Sequence, residues 1–354
     1  MNSTKIVIST KSIIVFFACI LAIFFIAATK DFLLLLFASF VVASAFYPIV
    51  DWMSLRMNRA VAVTVLYLTG FLIISLVLIP IFVILSEQTA LFIESSPKYW
   101  EHVTDLLYRG EIFIESVGFI PDYAQILEQV TEFSKELLNR SIDITLNIFT
   151  GMVMAFTLAF IVLFLLLEKN EIKKGVLALF PPQNRERVRN IIMTISKKVG
   201  GYVRGQLLLM FLVGLLTFIG LAIAGIDFAL LLGIIAGVLE IVPILGPFLS
   251  AVPAVVIALA KDPLLTIYVV AVYLIVQRIE NNILTPLILG KFLELHPIII
   301  ISAVFMAAST LGIFGAVLSP AIAAVIYVLV QELYIKKING NAKNQETEKE
   351  AFSG

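Results

Sequence analysis

Residues 240–254 read EIVPILGPFLSAVPA and place a carboxylate, three prolines and a glycine inside an apolar run. The run extends over residues 228–260, whereas one straight membrane crossing needs only about 20 apolar residues. A proline in the interior of a helix removes a hydrogen bond and collides with the preceding turn. The stretch therefore predicts a broken helix, or a helix joined to a partly re-entrant one, within a membrane.

The composition of the whole chain also indicates a membrane protein. Of the 354 residues, 60% are hydrophobic and 14% are charged, whereas a soluble domain has about 45–50% apolar and about 25% charged residues. The mean hydropathy is +1.05. A soluble globule of this composition would expose more apolar surface than is tolerated in water. The formal net charge is zero, so nothing indicates a nucleic-acid partner.

Eight apolar segments predict an all-α polytopic membrane protein with about eight transmembrane helices. They cover residues 12–29, 32–50, 60–85, 148–167, 207–224, 228–260, 264–290 and 298–330. Like residues 228–260, the last segment is too long for one straight crossing and carries glycine and proline near its middle. We therefore expect both of these long segments to be broken or partly re-entrant.

The distribution of lysine and arginine predicts the orientation of the chain in the membrane. Residues 168–206 contain nine of them, and the longer segment 87–147 contains four. An excess of lysine and arginine marks cytoplasmic loops, so we expect 168–206 in the cytoplasm, 87–147 outside and both termini in the cytoplasm. The predicted organisation is transmembrane helices 1–3 in residues 1–86, an exterior helical segment 87–147, transmembrane helix 4 in 148–167, a basic cytoplasmic amphipathic segment 168–206, a C-terminal transmembrane core with broken helices in 207–332, and a disordered cytoplasmic tail in 333–354.

Two amphipathic helices are predicted outside the membrane. In the exterior segment an apolar seam needs a partner helix, which is either residues 99–108 or a neighbouring subunit. The seam consists of Ile126, Val130, Phe133 and Leu137. In the basic segment, the helix after Pro182 carries one apolar face and several basic residues, a pattern typical of an interfacial helix on anionic membrane lipids.

Motifs of enzymes and of metal sites are absent from the sequence. It contains no P-loop, no HExxH and no serine nucleophile elbow. The single cysteine, Cys19, excludes an intrachain disulfide and a cysteine-based metal site, and the two histidines, His102 and His296, have no ligand spacing around them. We therefore expect no catalytic residues, no cofactor and no metal site.

Polar residues within the apolar C-terminal half are the candidates for binding a substrate or an ion, because charges at membrane depth are costly and usually face a cavity or a partner. These candidates are Glu240, Gln277, Arg278, Glu280, Asn281 and Asn282. On a helix, Gln277 and Glu280 share a face, whereas Arg278 and Glu280 are about 200° apart. Glu240 is therefore the expected partner of Arg278, in an ion pair that is either structural or functional. Glu280 is expected to line a polar cavity together with the two asparagines.

Glycines and prolines predict where the helices of this half are broken. The helix-break candidates are Pro243, Gly246, Pro247, Pro253, Pro286, Gly312, Gly315 and Pro320. Pro286 would remove a backbone hydrogen bond near Asn282 and free a carbonyl group that could line the cavity. Residues 246–254 also resemble residues 312–321, either as in the paired broken segments of some transporters or by chance.

Three stretches of this half resemble one known family. PILGPFLSAVPA, QRIENNILTPLILGKFLELHP and GIFGAVLSPAIA are similar to the C-terminal half of the AI-2E, or autoinducer-2 exporter-like, family of transporters. The predicted crossings and the two large segments between them also fit, so the resemblance covers nearly the whole chain. The matching motif positions are Pro243, Gly246, Pro247, Pro253, Gln277, Glu280, Asn281, Pro286, Gly290, His296, Pro297, Gly312, Gly315 and Pro320.

The resemblance implies a multi-pass protein of the cytoplasmic membrane, of bacterial or archaeal type, that works as a homo-oligomer. Members of the family are assigned to export of the quorum-sensing signal autoinducer-2, and others to antiport of sodium or lithium against protons. Membership alone does not decide between these two activities.

The leading hypothesis is a transporter, not an enzyme, that exports a small polar solute such as a quorum-sensing signal molecule. Its site would lie between residues 240–254, 277–286 and 312–320, and Glu280 would bind a cation or proton or hydrogen-bond the solute. A monovalent cation/proton antiporter is the first alternative. A membrane scaffold or regulatory protein, held to its partners through the exterior seam, is the alternative from a different class.

Overall fold

The computed structural model describes residues 10–73, 141–243, 245–292 and 296–335, together with the single positions 75, 76, 79, 88 and 91. The regular structure of these residues is helical, as the sequence predicts, and contains no β-strand. The α-helices of the described residues are α1 (Thr10–Ala28), α2 (Lys30–Met53), α3 (Arg59–Ile73), α4 (Ser141–Leu167), α5 (Lys169–Ala178), α6 (Arg185–Ile223), α7 (Ala229–Leu239), α8 (Leu245–Lys261), α9 (Pro263–Ile279), α10 (Thr285–Ile288) and α11 (Pro297–Val330). A 3₁₀ turn covers Pro182–Asn184, and π-helical turns cover Glu280–Leu284 and Gln331–Ile335.

Four helical spans in the described part of the chain are long and apolar enough to cross a membrane: Lys30–Met53, Pro182–Ile223, Leu264–Ile288 and Ile298–Ile335. A fifth results if Gly151–Leu167 and Lys169–Ala178, which meet at an angle of 79°, form one span. A polytopic membrane protein is therefore confirmed. The number of eight crossings stays a prediction, and the predicted exterior seam and the tail from residue 336 lie outside the described residues.

The outer surface of the helices is apolar, as a lipid environment requires. Phe24, Phe71, Leu274 and Phe305 are each more than half exposed. A surface of this kind is a liability in water, where large contiguous apolar patches are rare. In a bilayer these side chains are surrounded by lipid chains, so their exposure carries no free-energy cost.

Helix α6 is the central element, since it packs against α2, α7, α9 and α11. With 39 residues it is roughly 58 Å long, far more than the about 30 Å of a hydrocarbon core. The helix predicted after Pro182 does not end before the apolar run. Residues 185–206 and the apolar residues 207–223 form one continuous helix, because the sequence of α6 contains no proline to interrupt it. The interfacial position of its basic part stays a prediction.

A tight turn after α6 sends the chain back along the same helix. Gly225 has a positive φ of 70°, which glycine adopts without steric cost. The backbone N–H groups of Gly225 and Ile226 donate to the carbonyls of Ala222 and Leu221, at 3.1 Å each, and so cap the helix end. Helix α7 then packs so closely on α6 that a Cβ on Gly237 would collide with the α6 backbone.

Helices α7 and α8 form a hairpin whose tip includes residues 240–243. The N–H groups of Ile241 and Val242 bond back to the last turn of α7, at 3.2 and 3.0 Å, and α8 begins at Leu245. At Gly246 a Cβ would collide with the carbonyl oxygen of Leu239, so the two helices meet at their backbones. The helix is thus interrupted between Leu239 and Leu245, and neither helix alone has the length of a crossing.

A sharp kink lies at Gly312 inside α11. This residue has φ 67° and ψ −156°, a conformation nearly confined to glycine. A Cβ on Gly315 would collide with the carbonyl oxygen of Ala307, eight positions earlier in the chain. Residues that far apart are about 12 Å apart in a straight helix, so the helix bends sharply between residues 307 and 315.

Other predicted breaks are wrong, because the helices continue through them. Pro253 and Pro320 lie inside α8 and inside residues 313–330. The missing N–H of Pro320 leaves the Ala316 carbonyl free, and the Ser319 hydroxyl donates to that carbonyl at 2.7 Å. Neighbouring hydroxyls commonly compensate membrane prolines in this way.

Three more break candidates have other roles in the structure. Pro247 lies in the first turn of α8, where a proline interrupts few helical bonds. Pro286 directly follows the π-helical turn Glu280–Leu284 within the continuous span Leu264–Ile288, which does not break there. The third, Gly315, provides the close contact with residue 307 described above.

A charged cluster joins the ends of α2, α3 and α4. The carboxylate of Asp51 accepts hydrogen bonds from Arg59 at 3.0 Å and from Lys169 at 2.5 Å. The Arg59 Nε also donates to the carbonyl of Leu166 at 2.7 Å, at the end of α4. Lys169 lies 4.6 Å from the centre of the Tyr47 ring. These contacts fix the three helix ends to one another.

Candidate functional site

Glu280 lies at a local widening of the α9 helix. The π-helical turn Glu280–Leu284 follows α9 directly and precedes Pro286. Such turns insert an extra residue into a helix and occur often at functional sites. The Glu280 residue is only 8% exposed. Its Oε2 accepts a hydrogen bond from Gln277 Nε2 at 3.0 Å, which confirms the predicted shared face of these two residues.

Glu240 caps the end of α7, at the tip of the α7–α8 hairpin. The residue is 3% exposed. Its backbone carbonyl accepts a hydrogen bond from Gln206 Nε2 at 2.7 Å, and Gln206 belongs to α6. Among the described residues, the Glu240 side-chain oxygen Oε2 has no hydrogen-bond partner. The backbone of this residue is thus held in place, while half of its carboxyl group is left unsatisfied.

The carboxyl groups of Glu240 and Glu280 face each other within hydrogen-bonding reach. Three helices bring them together, since the pair lies where the hairpin tip meets α9 beside α6. Tyr202 of α6 also faces Glu240. We call the two glutamates the carboxyl pair.

The depth of the carboxyl pair follows from the helix lengths. Gln206 lies 17 residues before the end of α6, and Glu280 lies 17 residues after the start of α9. At a rise of 1.5 Å per residue, both are roughly 25 Å from those ends. The end of α6 and the start of α9 lie at the same height. Lys261, two residues before α9, bonds through its amino group to Asp227 at 3.1 Å and to the carbonyl of Gly225 at 3.2 Å, both just after α6. The pair therefore lies far from this end of the two helices, beyond the middle of an about 30 Å hydrocarbon core that begins there.

The predicted ion pair between Glu240 and Arg278 is wrong. Arg278 is exposed, and in the described part of the chain it forms no ion pair with Glu240. The reason is geometric: two positions along a helix are about 200° apart, so burying Glu280 turns Arg278 outward.

The two asparagines do not join the carboxyl pair. Asn281 and Asn282 are both exposed, whereas the sequence predicted that they line a cavity with Glu280. The structure therefore brings together only Glu240, Gln277 and Glu280 from the six predicted binding residues.

Sequence reasoning missed the contribution of α6. Gln206 is 6% exposed and Tyr202 is 4% exposed, yet both fell within the segment predicted to be a cytoplasmic amphipathic helix. A signal was present, because Gln206 is a polar residue directly before the apolar run 207–224. Tyr202 also belongs to the same buried cluster as Leu318 and Ala321, so it connects the surroundings of Glu240 with α11.

A family comparison decides the class of the protein. The model of the AI-2E family transporters matches residues 12–335 of the chain. The chain belongs to the AI-2E transporter family. The resemblance of its three C-terminal motifs to this family is thereby confirmed.

Curated AI-2E-type relatives match over most of their length. "Putative transport protein YueF" of Bacillus subtilis (strain 168) is 28% identical over 291 residues, which cover 79% of this chain and 78% of the relative. "Putative transport protein YrrI" of the same organism is 28% identical over 286 residues, covering 80% and 81%. "Putative permease PerM" of Escherichia coli (strain K12) is 24% identical over 309 residues, covering 83% and 86%.

In this AI-2E family member, the arrangement of the site limits what it can bind. Within the described residues, no group of three or more histidine, cysteine, aspartate or glutamate side chains could hold a metal ion. Two carboxyl groups in contact suit a proton or one small monovalent cation, and the amide of Gln277 adds a hydrogen-bond donor. The chemistry available is therefore the binding of a cation or of a polar solute.

Proposed function

We propose that the protein is a secondary transporter that exports a small polar solute, such as a quorum-sensing signal molecule, across the cytoplasmic membrane. The observation that supports this most directly is the buried carboxyl group of Glu280, on a π-helical turn in an apolar helix and opposite the tip of a broken hairpin. Ionisable groups at membrane depth are costly and mark substrate or ion pathways. The protein would work as a homo-oligomer, with both termini in the cytoplasm and residues 87–147 outside.

The solute would bind where the hairpin tip meets α9. Gln277 and the carboxyl pair would hydrogen-bond its hydroxyl groups, since the turn at residues 240–243 brings Glu240 to this place. Gln206 would hold the tip in the closed position through the carbonyl of Glu240. Movement of the tip away from α6 would then open the site.

Transport assays with the purified full-length protein in proteoliposomes test this proposal. A panel of small polar solutes, with autoinducer-2 among them, would be measured under imposed proton and sodium gradients and compared with empty liposomes. We expect protein-dependent flux of at least one polyhydroxylated solute. If no member of the panel moves faster than through empty liposomes, while the protein is folded and oriented, the export proposal fails.

Antiport of sodium or lithium against protons is the second candidate, and the contact between the two carboxyl groups favours it. Antiport predicts that an outward proton gradient drives sodium uptake into the same proteoliposomes. That uptake would disappear in Glu280→Gln and in Glu240→Gln, whereas Glu171→Gln, at an exposed residue of α5, would retain it. Sodium flux that ignores the proton gradient would contradict this candidate.

A further inference from the structure

The two members of the carboxyl pair touch in a place that solvent barely reaches. Glu240 is 3% and Glu280 is 8% exposed, and the two carboxyl groups lie within hydrogen-bonding reach of each other. A carboxylate is only an acceptor of hydrogen bonds, so two carboxylates cannot bond to each other. We propose that the carboxyl pair holds one proton between its two members, so that one carboxyl group donates to the other and the pair carries a single negative charge.

The supply of donors around the pair supports one shared proton. Gln277 gives one N–H to Oε2 of Glu280. The amide of Gln206 bonds instead to the backbone carbonyl of Glu240, and Oε2 of Glu240 has no partner among the described residues. A proton on one of the two carboxyl groups supplies the donor that the pair lacks.

The charges around the pair lead to the same conclusion. Tyr202 is the titratable group that faces Glu240 from α6, and it carries no positive charge. No lysine or arginine of the described residues forms an ion pair with either glutamate, and Arg278 is exposed. Two anions in contact, both buried and without a cation, would repel each other, whereas one proton removes that repulsion.

The shared proton couples to the position of the hairpin. The pair exists only while the tip of α7 and α8 lies against α9, since each helix contributes one carboxyl group. Separation of the tip would hydrate both groups and release the proton. This inference rests on the proposed transport function in one respect, because it names a proton as the ion that accompanies opening of that same site.

The pH dependence of thermal unfolding tests the shared proton without any solute. If the folded protein holds a proton that the unfolded chain releases at the ordinary glutamate pKa of about 4.3, stability falls as pH rises above that value, until the folded protein also loses the proton. As pH rises above about 4.3, the melting temperature of the wild type should therefore fall more steeply than that of Glu240→Gln or Glu280→Gln. Each glutamine retains a hydrogen-bond donor toward the other residue and has no shared proton to lose.

Glu171→Gln is the matched control, because Glu171 is exposed and distant in sequence from the pair; its curve should parallel the wild type. Parallel curves for the wild type and both pair variants would overturn the inference.

Chemical labelling provides a second measurement on the wild type, should both variants fail to fold. A hydrophobic carbodiimide adds to a protonated carboxyl group, and mass spectrometry of the full-length protein would locate the adduct. We expect one adduct per chain, on Glu240 or Glu280, that declines as pH rises. No adduct on either residue at any pH would overturn the inference. Neither measurement involves transport, so a failure of solute export would leave the shared proton standing, and the reverse also holds.

Discussion

Gln206 illustrates how one residue outside the predicted site controls its geometry. Its amide donates to the backbone carbonyl of Glu240 at 2.7 Å, and both residues are buried. Gln206→Ala would leave this carbonyl without its donor, which costs about 1–3 kcal/mol for a buried group. We expect a lower melting temperature and lower transport activity than in the wild type. Gln183→Ala, at an exposed position of the 3₁₀ turn, is the control and should change neither.

Arg278 tests the corrected charge pairing. Because its side chain is exposed and does not reach Glu240, we expect Arg278→Gln to change the free energy of unfolding by no more than about 0.5 kcal/mol. Breaking a buried ion pair would instead cost about 3–5 kcal/mol. Chemical or thermal unfolding of the purified variant distinguishes the two values, and a loss of several kcal/mol would restore the ion pair.

For individual residues, the sequence predicts contacts within a helix and misses contacts between helices. The Gln277–Glu280 bond follows from a spacing of three residues on one helix, which local geometry determines. The partner of Glu240 depends instead on which side of α9 the hairpin tip meets. No sequence pattern fixes that side. Charge complementarity suggested Arg278, whereas the packing of α7 on α6 and of α8 on α9 selects Glu280.

Gly312 forms the kink of α11, and its substitution tests the role of that kink. A Cβ there meets no atom within 4 Å, so the cost of Gly312→Ala comes from its backbone conformation alone. We expect a loss of about 1–3 kcal/mol in the free energy of unfolding. Gly175→Ala is a suitable control, since Gly175 also has open space around it but lies in the ordinary helix α5. That control should be neutral or stabilising by up to about 1 kcal/mol.

A proline breaks its helix only if no other group bonds to the carbonyl that it leaves free. A sequence pattern does not show whether such a group is in place. Eight glycine and proline positions predicted breaks. The structure has a turn between α7 and α8, at Pro243, and a kink at Gly312. Pro320 fails to break its helix because Ser319 supplies a donor to the carbonyl that the proline leaves free. A serine beside a proline is visible in the sequence, but its rotamer and its bond are properties of the folded helix.

For the whole molecule, composition predicts more than motifs do. The excess of apolar residues correctly indicates a polytopic membrane protein, because no soluble core could bury them. Continuity of helices is harder to predict. A basic segment and an apolar one form the single helix α6, and α6 then supplies two of the residues around the carboxyl pair. The site is thus a product of the packing of α6, the α7–α8 hairpin and α9, and no single motif contains it.

The central claim is that the carboxyl pair is the transport site of this AI-2E family member. The most direct test is initial solute flux into proteoliposomes that contain equal amounts of the wild type, Glu240→Gln, Glu280→Gln or Glu171→Gln. Loss of hydrogen bonds to a charged group predicts a decrease of about tenfold or more in both pair variants, with Glu171→Gln equal to the wild type. Unchanged flux in folded Glu240→Gln and Glu280→Gln would contradict the account.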